Sequence, residues 1–450
     1  MFDGNELRGS KITVLGAGLS GVSIARLARR LGAGVFVSDS SKISDAAVDS
    51  LNSNGIRFEQ GGHTDRVLDA NTIVLGSGFP PHAPILEKLA SQGIRPIGEL
   101  DFVMPYIKGR VVGITGSNGK TTTTSLIGHL INAAGKRCAV AGNIGSPIAD
   151  FAGEDCEYVS LELSSFQLHW ANSARLAGAV VTNLAPDHID WHGSYENYAA
   201  AKARILDFIG TDGFGIVQKR DVVTLKADRA YIRSLSWDEG GQPGGISLSA
   251  RGKTARMDDA ELFSFGETKL LGAHNMENIA MAMAAVRLLG FGIAPARASL
   301  SSYEAPPHRC RLVLERGGVR YIDDSKGTNI AASSTAMSSI EGPHIVILGG
   351  RGKGEDYSNL IEPLKKYAKR ALLIGEAAGE IAAAFGRRGY SDYRDAGNLE
   401  NAVRIAAGEA VAGDCVLLSP ACTSWDAYNN YHERGEHFAS LVMKYAGEAL

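Results

Sequence analysis

Short apolar runs followed by a glycine-rich turn and an amphipathic stretch recur along the chain. The first is KITVLGAGLSGVSIARLARRLGAGVFVSD, which predicts a strand, a turn, a helix and a second strand. Another begins at RVVGIT. Its helix carries Leu126, Ile127, Leu130 and Ile131 on one face, and Gly135 is a predicted stop.

The same alternation continues to the C-terminal end. CEYVSLEL and AGAVVTN predict strands, residues 210–270 predict short strands and loops, and GAHNMENIAMAMAAVRLLG predicts a helix. The last block adds the strand-like runs GVRYIDDS, HIVILGG, RALLIG and DCVLLSP. Alternating strands and helices predict an α/β protein with parallel, doubly wound sheets. We expect three domains, at 1–108, 109–310 and 311–450.

Composition and charge narrow the class of protein. The chain has 450 residues, with 44% hydrophobic and 21% charged residues and a net charge of -3. These values argue against a nucleic-acid or anionic-membrane surface. Its five cysteines form no C-x-x-C pair, so we expect reduced thiols and a cytoplasmic location. We find no signal-peptide pattern and no apolar run long enough to span a bilayer.

The first strand-turn-helix unit contains a dinucleotide-binding pattern. Gly16, Gly18 and Gly21 form G-x-G-x-x-G at the turn, and Asp39 ends the following strand. In this context the pattern indicates close approach of the backbone to a nucleotide pyrophosphate. It supports a nicotinamide-linked dehydrogenase as one hypothesis for function.

The second unit contains a phosphate-binding loop, in GITGSNGKTTTTSL. Ile114 stands where the strict G-x4-G-K-[ST] pattern has its first glycine, and Gly116 can supply the tight turn instead. Backbone N–H groups of Gly116–Gly119 could surround a phosphate at the N-terminus of the helix. Lys120 would neutralise the β- and γ-phosphates, and the hydroxyl of Thr121 would hold Mg²⁺.

Polar residues follow two neighbouring predicted strands of this block. Glu162 ends VSLEL, where folds with a phosphate-binding loop place a magnesium ligand. NLAPDHIDWHGS then brings two aspartates and two histidines, a set that suits metal or phosphate chemistry. Lys202, in ENYAAAKARIL, has by itself the pattern of a solvated helix lysine.

Three loops of the last block each follow a strand: DDSKGTN, GGRGKGEDY and SPACTSWD. They would bring together cationic and hydroxyl side chains at one sheet edge, where open α/β sheets bind ligands. Such groups suit an anionic substrate such as a dicarboxylate. The residues are Lys326, Thr328, Arg351, Lys353 and Ser424.

Taken in order, these motifs resemble those of the Mur ligases. The matching segments are TGSNGKTT, AGNIG, LELSSFQL, NLAPDHID, GAHNMEN, DDSKGTN and SPACTSWD. The resemblance covers nearly the whole chain, and GNIG, SSFQL and SPAC-x-S-x-D resemble the D-glutamate-adding members. It implies a Rossmann-like N-terminal domain for a UDP sugar, a central P-loop domain for ATP, and a Rossmann-like C-terminal domain for the amino acid.

The resemblance also implies roles for individual residues. Catalysis would involve Lys120, Glu162, His188 and Lys202. The same resemblance implies that ATP is bound by Gly116, Ser117, Asn118, Gly119, Lys120, Thr121, Thr122, Asn275, Asn278, Arg309 and Asp324. The UDP substrate would be bound by Leu19, Ser20, Asp39, Ser77, Asn143, Gln167 and His188. Glutamate would be bound by Lys326, Thr328, Lys353, Ser424 and Tyr431.

Two Mg²⁺ ions are implied, with Mn²⁺ as a substitute. Thr121 and Glu162 match ligands of one ion. His188 matches a ligand of the other, together with Lys202, which matches a lysine that the family carbamoylates. The chain departs from the family at Ser77-Gly78-Phe79, where a Ser-Pro-Gly turn is usual, and at Tyr431, where Phe is usual.

The implied activity joins D-glutamate to UDP-N-acetylmuramoyl-L-alanine in peptidoglycan precursor synthesis. It would proceed through an acyl phosphate and release ADP and phosphate. A monomer that binds neither nucleic acid nor membrane is expected. Folate polyglutamate synthetase and a non-catalytic P-loop protein are alternatives, and the sequence leaves open D- or L-glutamate.

Overall fold

A computed structural model describes residues 6–238, 244–258, 260–270 and 272–447. The predicted loop residues at 239–243 and 259 lie outside this part. The chain divides into two compact units, one of Met1–Thr268 with Glu277–Tyr303 and the other of Lys269–Met276 with Glu304–Leu450.

The first sheet of the first unit is entirely parallel, in the order β3-β2-β1-β4-β5. The order reverses beside β1, which opens a crevice at the carboxyl ends of β1 and β4. Its elements are β1 (Lys11–Leu15), α1 (Leu19–Arg30), β2 (Gly34–Asp39), α2 (Asp45–Ser53), β3 (Arg57–Gln60), β4 (Thr72–Leu75), α3 (Pro84–Ser91), β5 (Ile97–Gly98) and α4 (Glu99–Val103).

The second sheet has the order β14-β13-β12-β11-β10-β9-β6-β8-β7. Strand β6 lies in its middle, between β8 and β9. The elements are β6 (Arg110–Thr115), α5 (Lys120–Ala133), β7 (Cys138–Gly142), β8 (Tyr158–Glu162), α6 (Ser165–Trp170), β9 (Leu176–Val181), α7 (Ile189–His192), α8 (Tyr195–Ala203), β10 (Ile209–Gln218), β11 (Ile232–Trp237), β12 (Ile246–Ser249), β13 (Thr254–Met257), β14 (Ala260–Ser264), α9 (Ala273–Leu288) and α10 (Ile293–Ser299).

The third sheet, in the second unit, has the order β15-β16-β20-β17-β18-β19. Its elements are β15 (Arg311–Arg316), β16 (Val319–Asp323), α11 (Ile330–Ser339), β17 (His344–Gly349), α12 (Ile361–Tyr367), β18 (Ala368–Ile374), α13 (Ala378–Arg387), β19 (Tyr393–Gly397), α14 (Leu399–Glu409), β20 (Cys415–Leu418) and α15 (Tyr431–Val442). Short 3₁₀ turns occupy Asp65–Leu68, Met104–Tyr106, Ile148–Phe151, Arg204–Phe208, Lys219–Asp221, Phe265–Glu267, Leu300–Ser302 and Tyr357–Leu360, and a π turn occupies Met443–Gly447.

The prediction of mostly parallel sheets is confirmed, and the exceptions lie at two sheet edges. Strands β12, β13 and β14 pair antiparallel, as do β15 and β16. Short turns rather than helices join these strands, and a parallel pairing requires a long crossover connection. The alternation of strands and helices stops at these edges, and the strands reverse.

The hydrophobic cores follow the sheets. In the first unit, one cluster of buried apolar side chains includes residues of both sheets, such as Val37 and Leu161. In the second unit, β17 sends alternate side chains to two clusters, Val346 and Leu348 to one face and Ile347 to the other. This alternation is the period of a strand buried on both faces. Within the described residues, no helix combines the length and the hydropathy that crossing a bilayer requires.

Candidate active site

The phosphate-binding loop connects β6 to α5 in the middle of the second sheet. Gly116 and Gly119 have φ angles of 143° and 81°, which favour glycine. A Cβ on Gly116 would lie 2.0 Å from Thr182 Oγ1, and one on Gly119 would lie 2.3 Å from Asn278 Oδ1. No side chain caps the N-terminus of α5 at Gly119. The backbone N–H groups at this helix end therefore suit an anion such as a phosphate.

Two side chains fix the shape of the loop. Lys120 folds back so that its Nζ donates to the carbonyl oxygens of Gly116 (2.8 Å) and Ser117 (2.9 Å). Ser117 Oγ accepts a hydrogen bond from the backbone N–H of Ala185 and lies 2.8 Å from the hydroxyl of Tyr198. The Lys120 ammonium therefore lies directly over the loop that would hold the phosphate.

Glu162 ends β8, the strand next to β6, and only 2% of it is exposed. Asn143 Nδ2 donates to its Oε1 at 3.0 Å, whereas its Oε2 is buried without a hydrogen-bond partner. A buried carboxylate oxygen without a donor is costly unless a cation satisfies it. Glu162 therefore fits a divalent cation, as the sequence predicts.

Lys202 is buried, and the solvated-lysine pattern of its helix is misleading. It is 2% exposed, and its Nζ donates to Gly116 O at 2.7 Å and lies 3.4 Å from Thr115 Oγ1. Burial lowers the pKa of Lys202 well below its ordinary value, and the charge of Lys120 adds to this effect. The carboxylates of Asp187 and Glu162 raise the same pKa. Carbamoylation by CO₂ requires the uncharged amine as nucleophile, and a lowered pKa favours that form.

The segment after β9 contains two histidines, His188 and His192, whose surroundings differ. His188 has a left-handed backbone (φ 52°), and its Nε2 lies 3.6 Å from Asp187 Oδ2. His192 is buried, and its Nε2 lies 2.9 Å from Ser165 Oγ. Burial lowers the pKa of His192 to about 4, so this ring is a neutral packing residue. His188 is the less buried of the two and is the one that matches the predicted metal ligand.

The described residues contain no group of three or more His, Cys, Asp and Glu side chains that could hold a metal. The predicted metal ligands are not such a group, because they include the hydroxyl of Thr121 and a modified lysine, Lys202. Glu162 is the carboxylate of that set in the unmodified chain, and a carbamate on Lys202 would add a second.

A cleft of about 330 Å³ opens at the carboxyl ends of β1, β2 and β4. Ser20, Asp39 and Ser77 line it, together with the glycine turn. Asp39 Oδ2 accepts from Ala17 N at 2.7 Å, and Ser77 N donates to Ser20 Oγ at 3.0 Å. This is the position of a nucleotide site in a doubly wound sheet.

The other residues predicted to bind the UDP substrate lie around this cleft and the second sheet. Leu19 is 81% exposed at the start of α1. Asn143 bonds Glu162, as described above. Gln167 is buried at the start of α6, and its Nε2 donates to Glu99 Oε2 at 2.8 Å.

The predicted adenosine contacts fall in both units. Asn278 belongs to the first unit, beside Gly119. Asn275, Arg309 and Asp324 belong to the second. Burial raises the pKa of Asp324 to about 7, although Ser419 Oγ donates to it at 2.7 Å.

The predicted glutamate site belongs to the second unit. Its loops follow β16, β17 and β20, which are parallel neighbours, so the three loops share one sheet edge as the sequence predicts. Lys326 Nζ lies 3.9 Å from the centroid of the Tyr431 ring, a cation–π contact. Ser424 is buried, Thr328 is half-buried and Lys353 is exposed.

Three segments of the chain, one for each sheet, match domain models of a single enzyme family. Residues 11–85 match the MurD N-terminal domain, residues 114–286 the Mur ligase middle domain, and residues 308–422 the Mur ligase glutamate ligase domain. A UDP-N-acetylmuramoylalanine--D-glutamate ligase of Desulfitobacterium hafniense is 36% identical over 464 residues, which cover 99% of this chain and 100% of the relative. The chain belongs to the Mur ligase family. The predicted resemblance is thereby confirmed.

Other relatives of this Mur ligase agree. An enzyme of the same name from Acidobacterium capsulatum is 37% identical, over 99% of this chain and 98% of the relative. Among solved structures, a UDP-N-acetylmuramate-alanine ligase of Thermotoga maritima has a TM-score of 0.61 at 16% identity, covering 97% of this chain and 99% of that one. A murein peptide ligase of Psychrobacter arcticus has a TM-score of 0.55 at 19% identity, covering 96% and 99%. These two structures share the fold.

Three buried polar residues of this Mur ligase were not predicted from its sequence. Tyr198 precedes Lys202 by one helical turn, so the spacing of the two could have indicated a shared face of α8. Arg434 is 1% exposed and donates to Ser325 O at 2.8 Å and to Cys422 O at 3.1 Å, which ties two loops of the glutamate site. Glu99 is the third, and nothing in the local sequence indicates its burial.

Proposed function

We propose that this Mur ligase joins D-glutamate to UDP-N-acetylmuramoyl-L-alanine and converts ATP to ADP and phosphate. One observation supports the proposal most strongly. The phosphate-binding loop, Glu162 and Lys202 converge at the carboxyl ends of neighbouring strands, in a chain related over its full length to ligases of that name. A protein that only binds phosphate has no need of a second, buried lysine against the loop.

The first step activates the alanyl carboxylate of the UDP substrate. A carboxylate oxygen attacks the γ-phosphorus of ATP, the bond to the β,γ-bridging oxygen breaks, and an acyl phosphate and ADP form. Such a transfer depends on alignment and on neutralising negative charge. The N–H groups of Gly116–Gly119 bind phosphate oxygens, and the Lys120 ammonium offsets their charge.

The second step forms the amide. The uncharged amine of glutamate attacks the acyl carbon, phosphate leaves with the electron pair of the acyl–oxygen bond, and the amine nitrogen loses a proton. Lys326, Thr328, Lys353, Ser424 and Tyr431 are the proposed contacts of the amino acid, and its two carboxylates suit these cationic and hydroxyl groups.

Divalent cations have proposed positions in this site. Glu162 and Thr121 would hold one Mg²⁺, and His188 with a carbamate on Lys202 would hold another, with Mn²⁺ as a substitute. When bound, these ions neutralise phosphate charge and polarise the phosphoryl oxygens. The unpartnered Oε2 of Glu162 supports the first position.

We further propose that the enzyme works in the cytoplasm as a monomer. All five cysteines are free thiols, as expected in a reducing compartment. Burial raises the pKa of Cys138 and of Cys415 to about 12, which keeps both thiols protonated and unreactive.

Phosphate release tests the function directly. Purified enzyme receives ATP, Mg²⁺ and UDP-N-acetylmuramoyl-L-alanine, with D-glutamate, L-glutamate or meso-diaminopimelate. We expect phosphate only when D-glutamate is present, together with an equal amount of amide product. Release with L-glutamate alone would assign the opposite enantiomer. Phosphate release without any amino acid would contradict the proposal. The absence of release with all three amino acids would contradict it as well.

A further inference from the structure

Glu99 is a buried acidic residue that the proposed reaction does not use. It begins α4, directly after β5, and is 3% exposed. Its Oε2 accepts two hydrogen bonds, from Ser77 Oγ at 2.7 Å and from Gln167 Nε2 at 2.8 Å. Its Oε1 is buried and has no partner. Burying a carboxyl group is unfavourable. Removing this one would leave the Ser77 hydroxyl and the Gln167 amide without the acceptor that they share.

The two donors belong to different parts of the proposed UDP-substrate site. Ser77 follows β4 and lines the cleft, and its backbone N–H also bonds Ser20 Oγ. Gln167 lies in the first turn of α6, and its Oε1 accepts from Ser164 N at 2.9 Å. Glu99 is therefore the acceptor that joins the cleft of the first sheet to the helix that follows Glu162.

The backbone around Glu99 is packed so that this contact can form. A Cβ on Gly98 would lie 2.7 Å from the carbonyl oxygen of Trp170, so only glycine allows β5 to approach the end of α6 this closely. Burial raises the pKa of Glu99 above its ordinary value, although the bonds from Ser77 and Gln167 act in the opposite direction.

We infer that Glu99 is a positioning residue for the UDP substrate, which fixes the Ser77 hydroxyl and the Gln167 amide through its single accepting oxygen Oε2. The inference rests on the proposed function, because both donors are assigned to that substrate. Once the hydroxyl proton of Ser77 is committed to Glu99, Ser77 Oγ presents its lone pairs to the cleft. It would then accept a hydrogen bond from an N–H or O–H group of the substrate.

The test compares variants of Glu99 with a matched control on the same helix. Asp101 also joins α4 to the end of α6, through bonds from Asn172 N and Ser173 N at 2.7 Å. Glu99→Ala and Asp101→Ala each remove bonds between these two elements, but Asp101 does not contact Ser77 or Gln167. A general weakening of the interface would therefore act alike in both variants.

Steady-state kinetics and direct UDP binding, with no ATP present, supply two readouts. We expect Glu99→Ala to raise the KM for the UDP substrate and the Kd of UDP about tenfold, with the KM values of ATP and D-glutamate within about twofold. Glu99→Gln should recover most of the affinity, because its amide oxygen can accept both bonds. Asp101→Ala should lower the melting temperature without changing the KM for the UDP substrate.

Further variants keep the inference testable should Glu99→Ala fail to fold. Glu99→Asp withdraws the carboxyl group by one methylene and should still raise the Kd of UDP. Glu99→Asp should raise the Kd of UDP less in Ser77→Ala than in the unaltered enzyme, because the Ser77 bond is already absent there and only the Gln167 bond remains to be lost. Unchanged UDP binding in folded Glu99→Asp or Glu99→Ala overturns the inference. Failure of the unaltered enzyme to bind UDP would instead overturn the proposed function.

Discussion

Lys202 Nζ donates a 2.7 Å hydrogen bond to the carbonyl oxygen of Gly116, which places a buried lysine against the phosphate-binding loop. The contact joins α8 to the loop after β6. Burial lowers the pKa of Lys202, and the neighbouring Lys120 ammonium lowers it further. Two lysines at one loop repel each other when both are charged. A carbamate on Lys202 would replace that repulsion by attraction.

We therefore predict that Lys202→Ala loses at least about a thousandfold in kcat, and that acetate or formate restores part of it by occupying the place of the carbamate. Isotopically labelled bicarbonate should give a carbamate signal in NMR spectra of the unaltered enzyme and none in the variant. Lys219→Ala, at an exposed position, is the control. Normal activity of Lys202→Ala without added acid would exclude the carbamate role.

Lys120→Ala should abolish turnover while the protein stays folded. The ammonium donates to the carbonyl oxygens of Gly116 and Ser117, and without it the γ-phosphate charge is left uncompensated. We expect kcat/KM for ATP to fall by about three orders of magnitude or more. Lys136→Ala, just beyond the end of the same helix, should keep full activity. Circular dichroism would verify folding, and substantial ligation by folded Lys120→Ala would contradict this assignment.

A comparison of Gly119→Ala with Gly135→Ala separates the effect of backbone strain from that of a side chain placed in the phosphate-binding loop. Both glycines flank α5 and have nearly equal φ angles of 81° and 80°. A Cβ at Gly119 meets Asn278, whereas nothing lies within 4 Å of one at Gly135. We expect the positive φ to cost each variant about 1 kcal/mol of stability, and Gly119→Ala to lose more because its Cβ meets Asn278. Only Gly119→Ala should also weaken ATP binding. Equal ATP affinity of the two variants, measured by calorimetry, would count against the loop as the phosphate site.

Stability should fall in mild acid partly because of His192. Its folded pKa of about 4 lies below the ordinary value, so the unfolded chain binds a proton that the folded one does not between about pH 6.5 and pH 4. The stabilisation is complete above that window and is lost as the pH falls through it. About 2.5 kcal/mol of this stabilisation has been lost at about pH 4.5.

Thermal unfolding between pH 7 and pH 4.5 measures the effect. His192→Gln should show a shallower loss of melting temperature than the unaltered enzyme. Part of the loss should remain, because burial also lowers the pKa of His274 to about 4. His82→Gln, at an exposed position, should leave the slope unchanged. The same slope in His192→Gln would show that other groups cause the acid sensitivity.

Much of the fold could be predicted because its signals are local. An apolar run, a glycine that must adopt positive φ and an amphipathic helix lie within one stretch of chain, as in β1–α1 and β6–α5. Parallel pairing then follows from the helical crossovers. The antiparallel edges at β12–β14 and β15 were missed. At β15 the signal was present, because Gly317-Gly318 is a two-residue connection with positive φ at both positions, which is typical of a hairpin.

The sequence by itself determined which residue types follow each strand, and therefore that phosphate, a cation and an anionic amino acid could be bound. Only the tertiary structure decided that Lys202 is buried, that His192 packs as a neutral ring, and that Glu99 joins Ser77 to Gln167. Burial and the pKa of an ionisable group depend on elements distant in the chain that pack around it. ENYAAAKARIL reads as a helix with a solvated lysine until the phosphate-binding loop is placed against it.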